Sequence, residues 1–404
     1  MVQDMRGALS GIRVIEYADF VSGPYTGRQL AELGADVIKV ESPVTGDSAR
    51  RTGPYAHDFP AMDTSLLFSY LNGNKLGITL DVSCPSGREL LLKLIESADV
   101  FLFGYPTEVM DRYQLGYDFV KEINPQLIGT YVTPFGLTGP YRNYKTNEVI
   151  ATHLSGLAFD TPGGVEDVLN KPPIKPGGRH GLMIAGLHGA MATMHALFAR
   201  KATGSGQEVD VSELEPVTSF QFGSITRYAF TKEENQRGGM AGGPTYPALD
   251  GTVAMSPSQD HMWQALVQVL GNPSWANDPA FATRAGRTAN REALQAKISD
   301  WTRGLPKEDI AQRLQAVRVP AFATNSIPDV LASPHLQARQ FFEHIPLPSG
   351  EQALATGPRY HFSEGVPGIT RPAPRLGEHT VSVLKTQLGL SNEDIVALFE
   401  TGVI

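Results

Sequence analysis

Two histidines seven residues apart, His188 and His195, fall on one predicted helix and could share a face, but a metal site would need further ligands. No further ligand is placed to complete a set, so the simpler reading is two helix-packed or surface histidines and no bound metal. The chain has a single cysteine, Cys84, which excludes an internal disulfide and fits a reducing cytoplasm. The phosphate-binding GxxxxGK(S/T) loop, the HExxH pair and the GxSxG elbow are all missing from the sequence. The turn after the first predicted strand, Ala18-Asp19-Phe20-Val21-Ser22-Gly23-Pro24, lacks the GxGxxG dinucleotide fingerprint. Generic motifs therefore leave an α/β protein without an identifiable activity.

The elements that would position any such chemistry read as strand–helix units. Ile12–Tyr17 is a β-rich run, Gly23-Pro24 breaks the chain, and 25–33 has helical spacing before a Gly34 stop. Residues 36–40, 76–80, 100–103, 127–132 and 208–211 supply further strands, with a helix over 87–97. Parallel strands joined by helices favour right-handed crossovers and a doubly wound sheet. Residues 182–201 predict a long Gly- and Ala-rich helix closing on Arg200, Lys201 and Gly204. Within it Gly186, Gly189 and Ala190, with Gly181 just before, would let another backbone approach. Glycines and prolines crowd 235–257, which reads as a loop or lobe boundary, and 260–325 reads as a mostly helical smaller lobe. A Pro-rich connection over 345–375 and terminal helices over 380–388 and 391–399 complete the chain.

At 404 residues the chain exceeds what one core usually organises, so two lobes are expected: 1–225 with 330–404, and 226–329. A net charge of −8 argues against non-specific nucleic-acid binding, yet leaves room for a local basic patch toward an anion. The first nine residues contain charges and no apolar run, and no stretch approaches a membrane span, so the expectation is a soluble, cytoplasmic protein.

Several short motifs stand in order along the chain: Gly11-Ile12-Arg13-Val14-Ile15-Glu16, Ser22-Gly23-Pro24, Leu33 to Glu41 and Gly46-Asp47. They continue with Asn72-Gly73-Asn74-Lys75, Met110-Asp111-Arg112, Phe135 to Tyr141 and Gly204 to Val211. In that order they resemble the family III CoA-transferases, which include formyl-CoA transferase, carnitine CoA-transferase and the α-methylacyl-CoA racemases. The resemblance implies a Rossmann-like large domain, a smaller domain and two subunits interlocked as rings. It implies coenzyme A as ligand, with Arg112 near its nucleotide end, where a permanent cation suits phosphate, and Lys145 at another CoA-contacting position. Leu80 would line the adenine pocket, or serve only as strand core. Gly242-Gly243 would be the loop over the reaction centre, or a turn between lobes. Ser42 and Val21 stand where an arginine and an active-site glutamine occur in formyl-CoA transferase.

Family transferases work through an aspartate at the start of the long helix. It attacks the donor thioester to form a mixed anhydride, CoA thiolate then gives an enzyme thioester, and the acceptor carboxylate completes the exchange. Counting back from Gly204-Ser205-Gly206-Gln207, that position is Leu182, which offers neither nucleophile nor proton. The racemase histidine position is Asn147. Glu148 matches a family glutamate that could position substrate, replace the nucleophile, or accept backbone N–H bonds structurally. The layout resembles the subunit lacking the aspartate in two-subunit succinyl-CoA:benzylsuccinate CoA-transferases. The resemblance thus implies a sister chain carrying the aspartate, a CoA thioester and a small carboxylic acid as partners. The rival readings are a CoA-thioester-binding or regulatory protein without turnover, and a homodimeric enzyme using Glu148.

Overall fold

β1 (Arg13–Ala18) has five consecutive buried residues, as a strand covered on both faces requires. The computed structural model describes residues 7–161, 172–234, 245–357, 359–365 and 368–404. After β1 come α1 (Ser22–Glu32), β2 (Asp36–Glu41), α2 (Leu66–Asn72), β3 (Leu76–Thr79), α3 (Pro85–Glu96) and β4 (Val100–Gly104). The chain continues through α4 (Thr107–Tyr113), α5 (Tyr117–Ile123), β5 (Ile128–Thr133), α6 (Glu148–Leu154), α7 (Leu157–Asp160), α8 (His180–Thr203) and β6 (Gln207–Ser212). The six strands form one parallel sheet in the order β3-β2-β1-β4-β5-β6. Side chains alternate between its faces: Ile15, Phe101 and Phe103 join one apolar cluster, Val14, Val100 and Leu102 the other.

Two compact units divide the chain. One holds residues up to Thr161, Pro173–Glu234 and Arg339–Ile404; the other, among the described residues, comprises Pro172 and 245–338. The second has its own core around Trp263, Leu266, Ile310 and Leu314. It is less purely helical than the spacing predicts. β7 (Thr245–Ala248), β8 (Gly251–Met255) and β9 (Ala321–Ala323) make an antiparallel sheet where the sequence reads as loop and helix. Pro247 is tolerated because β7 is an edge strand. In the first unit, β10 (Phe342–Pro346) and β11 (Gln352–Thr356) likewise pair as a hairpin inside the Pro-rich connection.

Gly23-Pro24 does not break the chain before a helix at 25. α1 already starts at Ser22, since a first-turn proline gives up only an N–H that has no partner inside the helix. α8 passes the length and hydropathy test for a membrane span, yet it is a core helix packed on α1 and the sheet. A Cβ on Gly186 would sit 2.5 Å from the Ser22 carbonyl oxygen, so this glycine sets how closely α1 approaches. Thr26 Oγ1 closes the contact by donating to the Gly186 carbonyl at 2.9 Å.

Under the carboxyl ends of β1 and β2 lies a buried ionic cluster. Glu16 and Lys39 are register partners and pair at 3.0 Å, Lys39 reaches Asp47 at 2.7 Å, and Lys75 reaches Glu16 at 2.7 Å. Lys39 also donates to the Ala18 carbonyl, while Lys75 donates to the carbonyl of Pro24 and to Asn72 Oδ1. Burial alone would lower the Lys39 pKa, but Asp47, Glu16 and Glu41 hold it well above its ordinary value. Burial, assisted by the Lys39 charge, brings Lys75 down to about 8. Removing one partner from such a cluster leaves uncompensated buried charge. Lys39→Met is therefore expected to destabilise the fold by roughly 3–5 kcal/mol, read as a lower urea midpoint. An unchanged midpoint would show that the cluster holds little of the stability.

Candidate active site

The strand order reverses between β1 and β4, and a doubly wound sheet opens a crevice at that point beyond its carboxyl ends. A cavity of about 180 Å³ sits there, bordered by the β1–α1 turn, the residues after β4 and β5, and Leu182 and Glu213. The backbone floor is tight: a Cβ on Gly104 would lie 2.6 Å from that of Ala18. Phe20 adopts a left-handed conformation (φ 68°) in the turn, and its N–H donates to Asp47 Oδ1 at 3.1 Å. The buried cluster thereby fixes the shape of the cavity wall. A neighbouring concavity shares Phe20 and Asn147 and is bordered by Glu148, Lys175 and Arg179. The Arg179 guanidinium lies 4.7 Å from the Phe20 ring centre.

Leu182 lies in the first turn of α8, buried in one apolar cluster with Val21, Phe68 and Leu71. Neither of its flanking positions supplies an acid. Instead both Glu148 oxygens accept the N–H groups of α8's first turn, Oε1 from Gly181 and Oε2 from Leu182, each at 3.0 Å. Glu148 thus caps the helix from α6, placing a carboxylate where the free N–H groups and the dipole favour an anion. Asn147 is in turn the N-cap of α6, accepting from Ile150 N at 3.1 Å.

Two other carboxyls border the cavity. Asp19 accepts from Ser48 N at 2.7 Å and Ser48 Oγ at 2.8 Å; burial, with the Asp47 charge, raises its pKa to about 6. Glu213 directly follows β6 and accepts from Ser22 Oγ. Burial, with the nearby Glu148 charge and against the Ser22 hydrogen bond, raises the Glu213 pKa to about 7. Among the described residues, no cluster of three or more His, Cys, Asp or Glu has the arrangement of a metal site.

The family model for CoA-transferase family III matches residues 9–380. The chain belongs to CoA-transferase family III. Within the family it is 31% identical to formyl-CoA:oxalate CoA-transferase of Streptomyces avermitilis, over 99% of this chain and 100% of that one. It is 30% identical to the beta subunit of succinyl-CoA–L-malate CoA-transferase of Chloroflexus aurantiacus, over 96% of each. A CaiB/BaiF family protein of Brucella suis superposes with a TM-score of 0.82 at 30% identity, over 95% of this chain and 100% of that one. A family III CoA-transferase moves CoA between an acyl-CoA and a carboxylic acid, so CoA thioesters are its substrates.

The residues singled out from the family pattern fall in different settings. Leu80 is fully buried in the sheet core beyond β3. Arg112 is exposed at the end of α4, and Lys145 is exposed in the loop before α6. Arg142 pairs with Asp111, and Thr107 donates to the Arg142 carbonyl, which ties the loop carrying Lys145 to the helix carrying Arg112. Ser42 is half-buried in the turn after β2. Gly242 and Gly243 lie outside the described residues. His188 bonds back to the Ile184 carbonyl and meets the Phe220 ring edge-on. Asp19 and Glu213 are the cavity carboxyls that sequence reasoning missed. Their one signal was position, each lying directly beyond the carboxyl end of a parallel strand.

The raised Glu213 pKa has a stability consequence. The folded chain holds this proton to about pH 7, whereas the ordinary value is 4.5, so the group's contribution to stability falls as pH rises between those values. Glu213→Gln removes the effect. The variant is expected to gain on the parent between pH 5 and pH 8 by up to about 3 kcal/mol, measured as thermal unfolding at both pH values. An equal difference at the two pH values would contradict the assignment.

Proposed function

We propose that this chain is the non-nucleophilic subunit of a hetero-oligomeric CoA-transferase, working in the cytoplasm beside a sister chain that carries the covalent aspartate. The reaction would move CoA from succinyl-CoA to a substituted succinate such as benzylsuccinate. The observation that carries this reading is Leu182, an apolar side chain packed with Val21 at the family's covalent position. A carboxylate there would be buried without a cation and would lie beside Glu148. Glu148 itself has both oxygens engaged as a helix cap, which leaves it poorly placed as a substitute nucleophile.

Supporting features come from the cavity and the surface. Phe20, Val21, Val132, Pro134 and Leu182 give the cavity an apolar wall suited to the substituent of such an acid. Arg112 and Lys145 are exposed cations on segments tied to each other, as CoA phosphates require. Leu80 would contribute to the adenine side. The relation to a beta subunit of a succinyl-CoA-dependent enzyme agrees with a two-chain assembly. Leu187, Met191 and Phe198 of α8 are exposed, as are Phe222, Ile225 and Phe230 of α10 (Phe222–Thr231). Such an apolar surface fits a subunit partner in the interlocked arrangement.

In this division of labour the sister chain's carboxylate makes and breaks the acyl bonds. This chain binds, orients and excludes water. The isolated chain is expected to show no CoA transfer from succinyl-CoA to succinate-type acids, and activity should return on co-expression with the aspartate-bearing chain. Sustained turnover by the isolated chain, after purification to homogeneity, would overturn the proposal.

A further inference from the structure

Glu213 is the one cavity carboxyl with an oxygen to spare. Its side chain is nine-tenths buried, and Ser22 Oγ donates to Oε1. The hydrogen bond from Ser22 engages Oε1 alone, which leaves Oε2 accessible where the side chain borders the cavity. A carboxyl oxygen that faces a cavity without a side-chain or backbone partner is open to a hydrogen bond from a ligand or from water. Asp19, by contrast, has both oxygens engaged by Ser48.

We propose that Glu213 is the carboxyl-recognition residue of this chain, holding the acid substrate through one proton shared between its own carboxyl and that of the acid. This rests on the reading of the cavity as an acid-binding site of a CoA-transferase subunit. The charged surroundings explain why a shared proton, and not a salt bridge, is the available contact. Among the described residues, no Lys or Arg borders the cavity. Lys39 lies beneath it, already paired with Glu16 and Asp47. Arg179 and Lys175 border only the neighbouring concavity, Arg179 against the Phe20 ring and Lys175 bonded to the carbonyls of Pro176 and Gly178. The groups facing Glu213 are Ser22 on α1, Glu148 on α6, Leu182 on α8, and Asp19 and Tyr105 across the cavity.

Two carboxylates brought together in such a place cannot both ionise, so one proton is retained between them. Free Glu213 titrates near pH 7, and a bound carboxylate would raise that further, so binding above pH 7 must take a proton from solution. No bond is made or broken in this step; the proton comes from water and returns to it on release.

The test uses the full-length chain with succinate as probe, and succinamide as the same skeleton without a carboxylate. Binding is followed by calorimetry, and proton uptake by an indicator in weak buffer. The succinate Kd is expected to rise about tenfold per pH unit between pH 7 and 9, with about one proton taken up per succinate bound at pH 8. Glu213→Gln, which keeps a donor but cannot titrate, should bind succinate with a flat pH profile and no uptake. Succinamide should show neither effect with the parent chain. Binding of succinate without proton uptake, or uptake unchanged in Glu213→Gln, overturns the role of Glu213 and leaves the acid-binding cavity standing. No succinate binding at pH 6, with the chain alone or with its sister chain, overturns both.

Discussion

A lysine with no access to solvent, Lys39 on the second strand, is the constraint from which the site follows. Placing an ammonium in the centre of a sheet is unfavourable unless its charge is matched nearby. The match comes from Glu16 in register on β1 and from Asp47 beyond β2. Asp47 also holds the Phe20 N–H, so one charge balance couples two strands, the loop after β2 and the strained turn that walls the cavity. The crevice at the sheet's switch point is a backbone feature of the fold, but its shape here is set by that ionic cluster.

The start of α8 shows how a helix N-terminus can be capped from another helix. A helix N-terminus needs acceptors for its free N–H groups, and in this chain Glu148 supplies them from a separate helix. With the cap provided externally, residue 182 is free to be apolar, and Leu182 and Val21 pack into one cluster.

Much of this was legible in sequence. Five strands of the parallel sheet, β1 to β5, are largely buried β-rich runs, and the terminal helix Thr380–Leu388 ends at a glycine in the left-handed conformation. The hairpin of β7 and β8 was not legible, because Pro247 and the surrounding glycines carry the marks of a loop and only the sheet edge excuses them. Only the family resemblance singles out Leu182, since a leucine in a helix carries no chemical signal of its own. The role of Glu148 depended on N–H groups more than thirty residues away in the chain. Glu213 looked like one charge in an acidic stretch around β6, and only the three-dimensional setting shows that it is buried against a cavity.

The central claim is that covalent exchange takes place on a sister chain while this chain shapes the site without bonding to the acyl group. Mass spectrometry of both chains, trapped with hydroxylamine or borohydride during turnover of succinyl-CoA, measures this directly. The account predicts a modified aspartate on the sister chain and unmodified peptides here, including those containing Glu148, Leu182 and Glu213. A modified carboxyl on this chain, at Glu213 or Glu148, would contradict it and place the nucleophile in this cavity.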